Sequence, residues 1–206
     1  MEYRNLGNTG VRVSAVSLGT GGQWGGRVDQ EAAKRIVATA LDSGINYFDT
    51  ADIYGTWYEG RKPLAEEYLG VALQGLRDRV VLGTKGCQAT GDAPNDWGAS
   101  RYHLMNALDA SLRRLRTDHI DLYQIHVFDS STPVEETMRT LDDLVRSGRV
   151  RYVGASQYQA WQVCRCNDLA ERFGWARFAT VQVHYNLLER QAEQEMLPFC
   201  REMKVG

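Results

Sequence analysis

The stretch Leu18–Gly26, LGTGGQWGG, decides between two folds for this chain. It follows a short apolar run and precedes a helical pattern, the place where a Rossmann fold puts the glycine-rich loop that cradles a dinucleotide pyrophosphate. Gly19 and Gly21 match the first two glycines of that G-x-G-x-x-G pattern. Trp24 stands at the third, where close packing of helix against strand leaves no room for an indole. The predicted helix N-cap, Asp29, also lies too far along the chain to bring a helix N-terminus to a phosphate. The stretch is therefore a poor match to a Rossmann phosphate loop.

Short apolar runs alternate with longer helical patterns along the rest of the chain. Residues 2–6 and 11–13 predict a small N-terminal β-hairpin, and AVSLG begins the repeating pattern. Further strands are predicted at INYFDT, VVLGTK, IDLYQIH, RYVGAS and ATVQV, with helices after Asp29, at 64–72, 104–115, 134–145 and 158–173, and around 191–203. The final MKVG has the pattern of an opening strand. Six strand–helix units and the start of a seventh predict an α/β fold with a parallel sheet, either doubly wound or closed as a barrel.

Length and composition exclude several classes of protein. The chain has 206 residues, 43% of them hydrophobic, and a formal net charge of −2. No linker divides it, so residues 1–206 are predicted to form one domain. The balanced charge argues against a nucleic-acid partner, and no apolar run approaches the roughly 20 residues of a membrane span. No signal peptide is visible, and the four cysteines lack the spacing of a metal site. We therefore expect a cytoplasmic protein without a metal.

Ionisable side chains stand at the ends of three successive predicted strands. Asp49 ends the second strand, with Tyr54 just beyond it, while Lys85 ends the third and His126 the fourth. Taken singly, each has an ordinary structural explanation, such as a lysine that extends from a strand end. In a parallel barrel, however, the carboxyl ends of the strands converge on one mouth, where active sites lie. Four such groups at equivalent positions predict an active site.

The sequence around these residues resembles motifs of the aldo-keto reductase family. DTADIYG is similar to that family's D-T-A-x-x-Y-G segment, and SLRRLRTDHIDLYQIH to its S-L-x-x-L-x-x-D-Y-x-D-L-Y-x-x-H segment. VRYVGAS and VQVHYNLLER resemble the strands that carry its G-x-S-N and Q-x-x-Y-N-L motifs. The resemblance covers the chain in order. It implies a parallel (β/α)8 TIM barrel, which binds NADPH or NADH in extended form, and the reduction of small aldehydes or ketones by hydride transfer.

The resemblance also implies a role for each of the four strand-end residues. Tyr54 is the expected proton donor to the carbonyl oxygen. Lys85, held positive by Asp49, would favour the phenolate form of that tyrosine. His126 would donate a hydrogen bond that orients the carbonyl oxygen.

The cofactor contacts implied by the resemblance lie at the same strand ends. Thr20 and Asp49 match positions near the nicotinamide ribose, and Ser156 and Gln182 match residues that hold the carboxamide. Gln157 stands where the family usually has asparagine. Trp24 is a candidate wall of the substrate pocket, and the alternative is that its indole packs beneath the glycine-rich loop.

The family's usual chain continues well past MKVG, so only about six to seven βα units are expected here. We expect the barrel to be C-terminally incomplete, with open edges that make the isolated chain unstable or prone to aggregate.

The segment HYNLLER is closer to the potassium-channel β subunits and their bacterial relatives than to the steroid reductases. The alternatives to an enzyme are therefore a cofactor-binding regulatory subunit with little turnover and an inactive fragment. The motifs predict neither the oligomeric state nor the substrate beyond a small carbonyl compound.

Overall fold

The computed structural model of the chain describes residues 1–57 and 62–206. Two short strands, β1 (Tyr3–Asn5) and β2 (Arg12–Ser14), pair antiparallel as the predicted hairpin. Six parallel strands follow in a second sheet: β3 (Leu18–Gly19), β4 (Tyr47–Asp49), β5 (Val81–Gly86), β6 (Ile120–Ile125), β7 (Val150–Ser156) and β8 (Phe178–Gln182). Each strand pairs with the next one in the chain, from β3 to β8. This curled sheet with alternating helices is a partial (β/α)8 barrel, which confirms the predicted fold.

The helices cover the outside of the sheet and are amphipathic. They are α1 (Gln30–Asp42), α2 (Leu64–Ala72), α3 (Arg101–Leu115), α4 (Val134–Arg146), α5 (Ala160–Phe173) and α6 (Met196–Met203). In α4, Met138, Leu141 and Leu144 are fully buried at helical spacing against the strands. Asp29 is the N-cap of α1, as predicted, because its carboxylate accepts a hydrogen bond from the Ala32 amide at 2.8 Å.

The predicted helix around 191–203 is shorter than the sequence pattern indicated. Gln191–Glu193 form a single 3-10 turn, and α6 begins only at Met196. Pro198 explains the division, because a proline deep inside a helix would lose its hydrogen bond to the fourth residue before it and clash with that carbonyl. In the first turn of α6, where no such bond is needed, the proline is tolerated.

The hairpin closes the end of the sheet where the strands begin. Leu6 and Val13 pack with Leu122 of β6 and with Tyr47 and Val81, the first residues of β4 and β5. The hairpin therefore fills the amino end of the partial barrel and leaves the carboxyl ends of the strands open.

Gly206 lies beside β8. The Gly206 amide donates to the Ala179 carbonyl at 2.9 Å, and the Val181 amide donates to the Gly206 carbonyl at 2.8 Å. One residue bonded on both sides in this way follows the parallel pattern, as expected for the start of a seventh strand. Gly7 of the hairpin turn lies against the same place, where a Cβ atom would come within 2.1 Å of the Ala179 oxygen and 2.9 Å of the Gly206 nitrogen.

The glycine-rich stretch that follows β3 is a loop at the carboxyl end of the sheet. Thr20 donates its amide to the Asp49 carbonyl at 3.0 Å, and α1 begins ten residues later at Gln30. The helix that follows the loop therefore begins well beyond its glycines, as the sequence indicated, and the fold is not a Rossmann sheet.

Candidate active site

A buried ion pair between neighbouring strands forms the centre of the site. Lys85, near the end of β5, is 0% exposed, and its Nζ atom lies 2.6 Å from Asp49 Oδ2 at the end of β4. The ammonium also donates to the Thr50 carbonyl at 2.9 Å. A buried charge is tolerated only when it is paired and hydrogen-bonded, and these two contacts satisfy that requirement.

Tyr54 lies against this ion pair. Lys85 Nζ is 3.5 Å from the Tyr54 hydroxyl and 5.1 Å from the centroid of its ring. The turn that carries Tyr54 is fixed because its carbonyl accepts a hydrogen bond from the Ala65 amide at 3.1 Å. Gly55 permits this turn, since it has a φ of +97° and a Cβ atom there would approach the Leu64 nitrogen to 2.8 Å.

His126 follows β6 and faces the tyrosine. Its amide donates to the Gly86 carbonyl at 2.8 Å, and its ring meets the Tyr54 ring edge-on, with centroids 5.7 Å apart and planes at 77°. Burial, together with the Lys85 charge, lowers the pKa of His126 to about 4. The imidazole is therefore neutral near pH 7, and it can still donate a hydrogen bond from one nitrogen.

Asp49 also accepts hydrogen bonds from two side-chain amides. Gln124 Nε2 lies 3.2 Å from Asp49 Oδ1, and Gln182 Nε2 lies 3.4 Å from Asp49 Oδ2. Gln124 is a site residue that sequence reasoning missed. It stands two positions before His126 in the predicted strand IDLYQIH, and the period-two alternation of a strand would have placed both on the barrel interior.

The residues predicted to contact a cofactor lie at the ends of β7, β8 and β3. Ser156 is buried and pairs in register with Gln182, while the Gln157 amide donates to the Gln182 carbonyl at 2.9 Å. Gln157 has a left-handed backbone, φ +55°, which asparagine adopts more easily than glutamine. Thr20 is fully buried, and its hydroxyl donates to Thr50 Oγ1 at 2.8 Å.

A family model described as the aldo/keto reductase family matches residues 15–206. The chain belongs to this family. It is 43% identical over 213 residues to an uncharacterized oxidoreductase, YrpG, of Bacillus subtilis (strain 168), and 40% identical over 231 residues to a versiconal hemiacetal acetate reductase of Aspergillus parasiticus. It is 38% identical over 210 residues to a probable voltage-gated potassium channel subunit beta of Oryza sativa subsp. japonica. Each match covers 100% of this chain, which spans 64%, 65% and 62% of these relatives, respectively. This member of the aldo/keto reductase family thus spans less than two thirds of the length of these relatives.

Trp24 is buried, which bears on whether its indole lines the substrate pocket or packs beneath the glycine-rich loop. It is 4% exposed and belongs to the main apolar core. This burial favours the packed alternative, because an indole inside the core offers little surface to a substrate.

A second buried polar cluster lies behind the candidate site of this aldo/keto reductase family member, and the sequence analysis did not find it. Glu66 of α2 pairs with Arg114 of α3 at 2.7 Å and accepts a hydrogen bond from Thr84 at 2.6 Å. Within the described residues, both Asp52 carboxyl oxygens and the Tyr123 hydroxyl are buried without a hydrogen-bond partner. Burial and the nearby Glu66 charge raise the pKa of Asp52 well above its usual range.

Two kinds of feature are absent from the described parts of the chain. Over residues 1–57 and 62–206, no helix combines the length and the apolar character needed to cross a bilayer. The same residues contain no group of three or more histidine, cysteine or acidic side chains placed to hold a metal ion.

Proposed function

We propose that this aldo/keto reductase reduces small aldehydes or ketones to alcohols with NADPH, or with NADH, as the electron donor. The observation that carries the proposal is the contact of Lys85 with both Asp49 and Tyr54, with His126 packed edge-on against the same tyrosine. These four residues were predicted together from the ends of three successive strands. Carbonyl reduction requires a proton donor and a group that donates a hydrogen bond to the carbonyl oxygen. A tyrosine beside a buried cation and a neutral imidazole can fill these two roles.

The polar groups at the ends of β7 and β8 fit the nicotinamide end of such a cofactor. A carboxamide both donates and accepts hydrogen bonds. The side chains of Ser156, Gln157 and Gln182 supply a hydroxyl and two amides, which can pair with both kinds of group. Space for the cofactor is left by the loop after β3, because a Cβ atom at Gly19 would meet no atom of the described residues within 4 Å. We assign the ribose side to Asp49 and to the backbone around Thr20.

The residues of the site divide the proton chemistry between them. When bound, the nicotinamide supplies a hydride to the carbonyl carbon. The Tyr54 hydroxyl gives its proton to the carbonyl oxygen, which completes the alcohol and leaves a phenolate. Lys85 stabilises that phenolate from its position against the hydroxyl, and Asp49 holds the ammonium in place. His126 donates a hydrogen bond to the carbonyl oxygen as negative charge develops there.

The test is carbonyl-dependent oxidation of NADPH by the chain and by Tyr54→Phe. Loss of the proton donor should lower kcat/KM for butanal by about 100-fold or more. The matched control, Tyr102→Phe, changes an exposed tyrosine on α3 and should retain the activity. Full activity in Tyr54→Phe would contradict the proposal.

A second candidate function is a cofactor-binding subunit with little turnover. It is favoured by the 38% identity to a protein named as a probable potassium channel subunit beta. The same assay separates the two functions when it is combined with nicotinamide fluorescence. Tight binding of NADPH without carbonyl turnover would favour the subunit, whereas failure to bind NADPH would favour an inactive fragment.

A further inference from the structure

Trp57 is an exposed aromatic residue that lies against the candidate proton donor. Its side chain is 57% exposed, and its ring centroid lies 5.6 Å from that of Tyr54, with the planes tilted by 36°. Among the described residues, it belongs to none of the three buried apolar clusters. A large indole left in water beside a reactive group is a candidate for contact with a ligand.

Two polar side chains also lie beside the Tyr54 ring. Lys85 Nζ lies 5.1 Å from the ring centroid, and the His126 ring meets the tyrosine edge-on at 5.7 Å. In the proposed reaction both groups act on the carbonyl oxygen. Trp57 differs from them, since its exposed surface is mainly apolar and planar.

The position of the substrate follows from the hydrogen bonds that the reaction needs. A carbonyl oxygen bound by Tyr54 and His126 holds the carbonyl carbon, and the group attached to it, within a few ångströms of these rings. An indole centred 5.6 Å from the tyrosine ring is close enough to contact that attached group. A flat conjugated group would gain an aromatic contact there that an alkyl chain lacks.

We propose that Trp57 is a specificity-determining residue, which selects carbonyl compounds that carry an aromatic or conjugated group next to the carbonyl carbon. This inference rests on the proposed reductase function and goes beyond it by naming the substrate class. Trp57 takes no part in the proton transfer, so it should discriminate between substrates and leave the chemistry intact.

The test compares benzaldehyde with butanal as substrates of the chain, Trp57→Ala and Trp57→Phe. In Trp57→Ala, kcat/KM for benzaldehyde should fall about 10-fold, the equivalent of an aromatic contact, while that for butanal changes less than about twofold. Trp57→Phe should recover most of the loss for benzaldehyde. An equal loss of kcat/KM with both aldehydes would mean that Trp57 merely supports Tyr54, and it would overturn the proposal. No loss with either aldehyde would overturn it as well.

The matched control is Trp161→Ala. Trp161 of α5 is also about half exposed, at 53%, but its ring contacts Phe128 and its Nε1 atom bonds Gln159. Its loss should leave the ratio of benzaldehyde to butanal turnover unchanged.

Direct binding separates this proposal from the reductase function. Binding of benzyl alcohol and of butanol is followed by saturation-transfer NMR in the presence of NADP⁺. If neither aldehyde is turned over, the reductase proposal fails, but selective loss of benzyl alcohol binding in Trp57→Ala still supports the aromatic subsite. Equal binding of benzyl alcohol by the chain and by Trp57→Ala would overturn it.

Discussion

His126 is kept neutral by its surroundings, and this lowers the stability of the folded chain at acidic pH. The ordinary histidine pKa of 6.5 falls to about 4 in the folded chain, because of burial and the Lys85 charge. As the pH drops from 6.5 toward 4, the imidazole therefore binds a proton in the unfolded chain but stays unprotonated in the folded chain. Stability must decline over this interval.

Replacement of His126 should remove this acid sensitivity. Between pH 7.5 and pH 5, the free energy of unfolding of the unaltered chain should fall by about 2 kcal/mol more than that of His126→Gln. Urea unfolding of both proteins at the two pH values measures the difference. Equal declines would show that the imidazole protonates freely in the folded state.

Asp52 has the opposite pH dependence. Burial and Glu66 raise its folded-state pKa, so the folded chain holds a proton that the unfolded chain releases above about pH 4. Stability should therefore fall as the pH rises above that value, and Asp52→Asn should weaken this fall. Urea unfolding from pH 4 to pH 8 tests it, with the exposed Asp42→Asn as the control. An equal or steeper fall in Asp52→Asn would show that the Asp52 carboxyl does not keep its proton in the folded chain.

The predicted site residues differ in how far the sequence could locate them. Lys85 and Asp49 were predicted to interact because parallel strands bring their carboxyl ends together, and the structure places them 2.6 Å apart. Gln124 was missed because an amide inside a strand carries no charge to attract notice. Asp52 was missed because the sequence does not reveal which side of the turn is enclosed by the neighbouring helices.

At the scale of elements, the contact between α2 and α3 depends on a glycine. A Cβ atom at Gly70 would lie 2.4 Å from the Arg114 carbonyl oxygen and 2.8 Å from the Leu115 Cα. Both atoms belong to the backbone of α3 and its end, so no side-chain rotation can relieve the contact. The helices must move apart if this glycine is replaced.

Gly70→Ala should therefore destabilise the chain, although alanine favours a helix by about 1 kcal/mol over glycine. We expect a net loss of about 1–3 kcal/mol from overpacking, measured by thermal unfolding followed by circular dichroism. Glu67→Ala, an exposed change on the same helix, is the control and should alter stability much less. A gain of stability in Gly70→Ala would show that the two helices can separate freely.

Sequence patterns located the elements better than their limits. The strand–helix order was predicted correctly, because apolar periodicity reflects which face of each element is buried. The limits of the last helix were wrong, because the pattern of apolar residues in 191–203 continues across a proline that the backbone of a helix interior does not accept. The single-domain prediction remains a prediction.

At the scale of the whole molecule, two adjacent leucines lie almost entirely in water. Leu187 and Leu188 are 88% and 96% exposed, in a turn where Asn186 Oδ1 accepts hydrogen bonds from the Leu188 and Glu189 amides. The turn thus holds both apolar side chains outward. Exposed pairs of this kind promote association.

The isolated 206-residue chain should self-associate through these leucines. The double variant Leu187→Ser/Leu188→Ser should show a lower weight-average mass than the unaltered chain, as measured by light scattering at increasing concentration. Tyr102→Ser, which removes a single exposed aromatic side chain, is the control. A monomer at every concentration would contradict the prediction for the unaltered chain.

The contact of the hairpin turn with β8 bears on the order in which the chain can assemble during synthesis. Successive strands of the large sheet pair with the strand made just before them, so each can join the sheet soon after it leaves the ribosome. The hairpin is made before the strands of this sheet, but Gly7 of its turn lies against Ala179 of β8 and against Gly206. The packing of the hairpin on β4, β5 and β6 can form once β6 has been made. The contact of its turn with β8 must wait until about 170 more residues than the hairpin itself have been translated, so the hairpin turn reaches its final position later than its place in the sequence suggests.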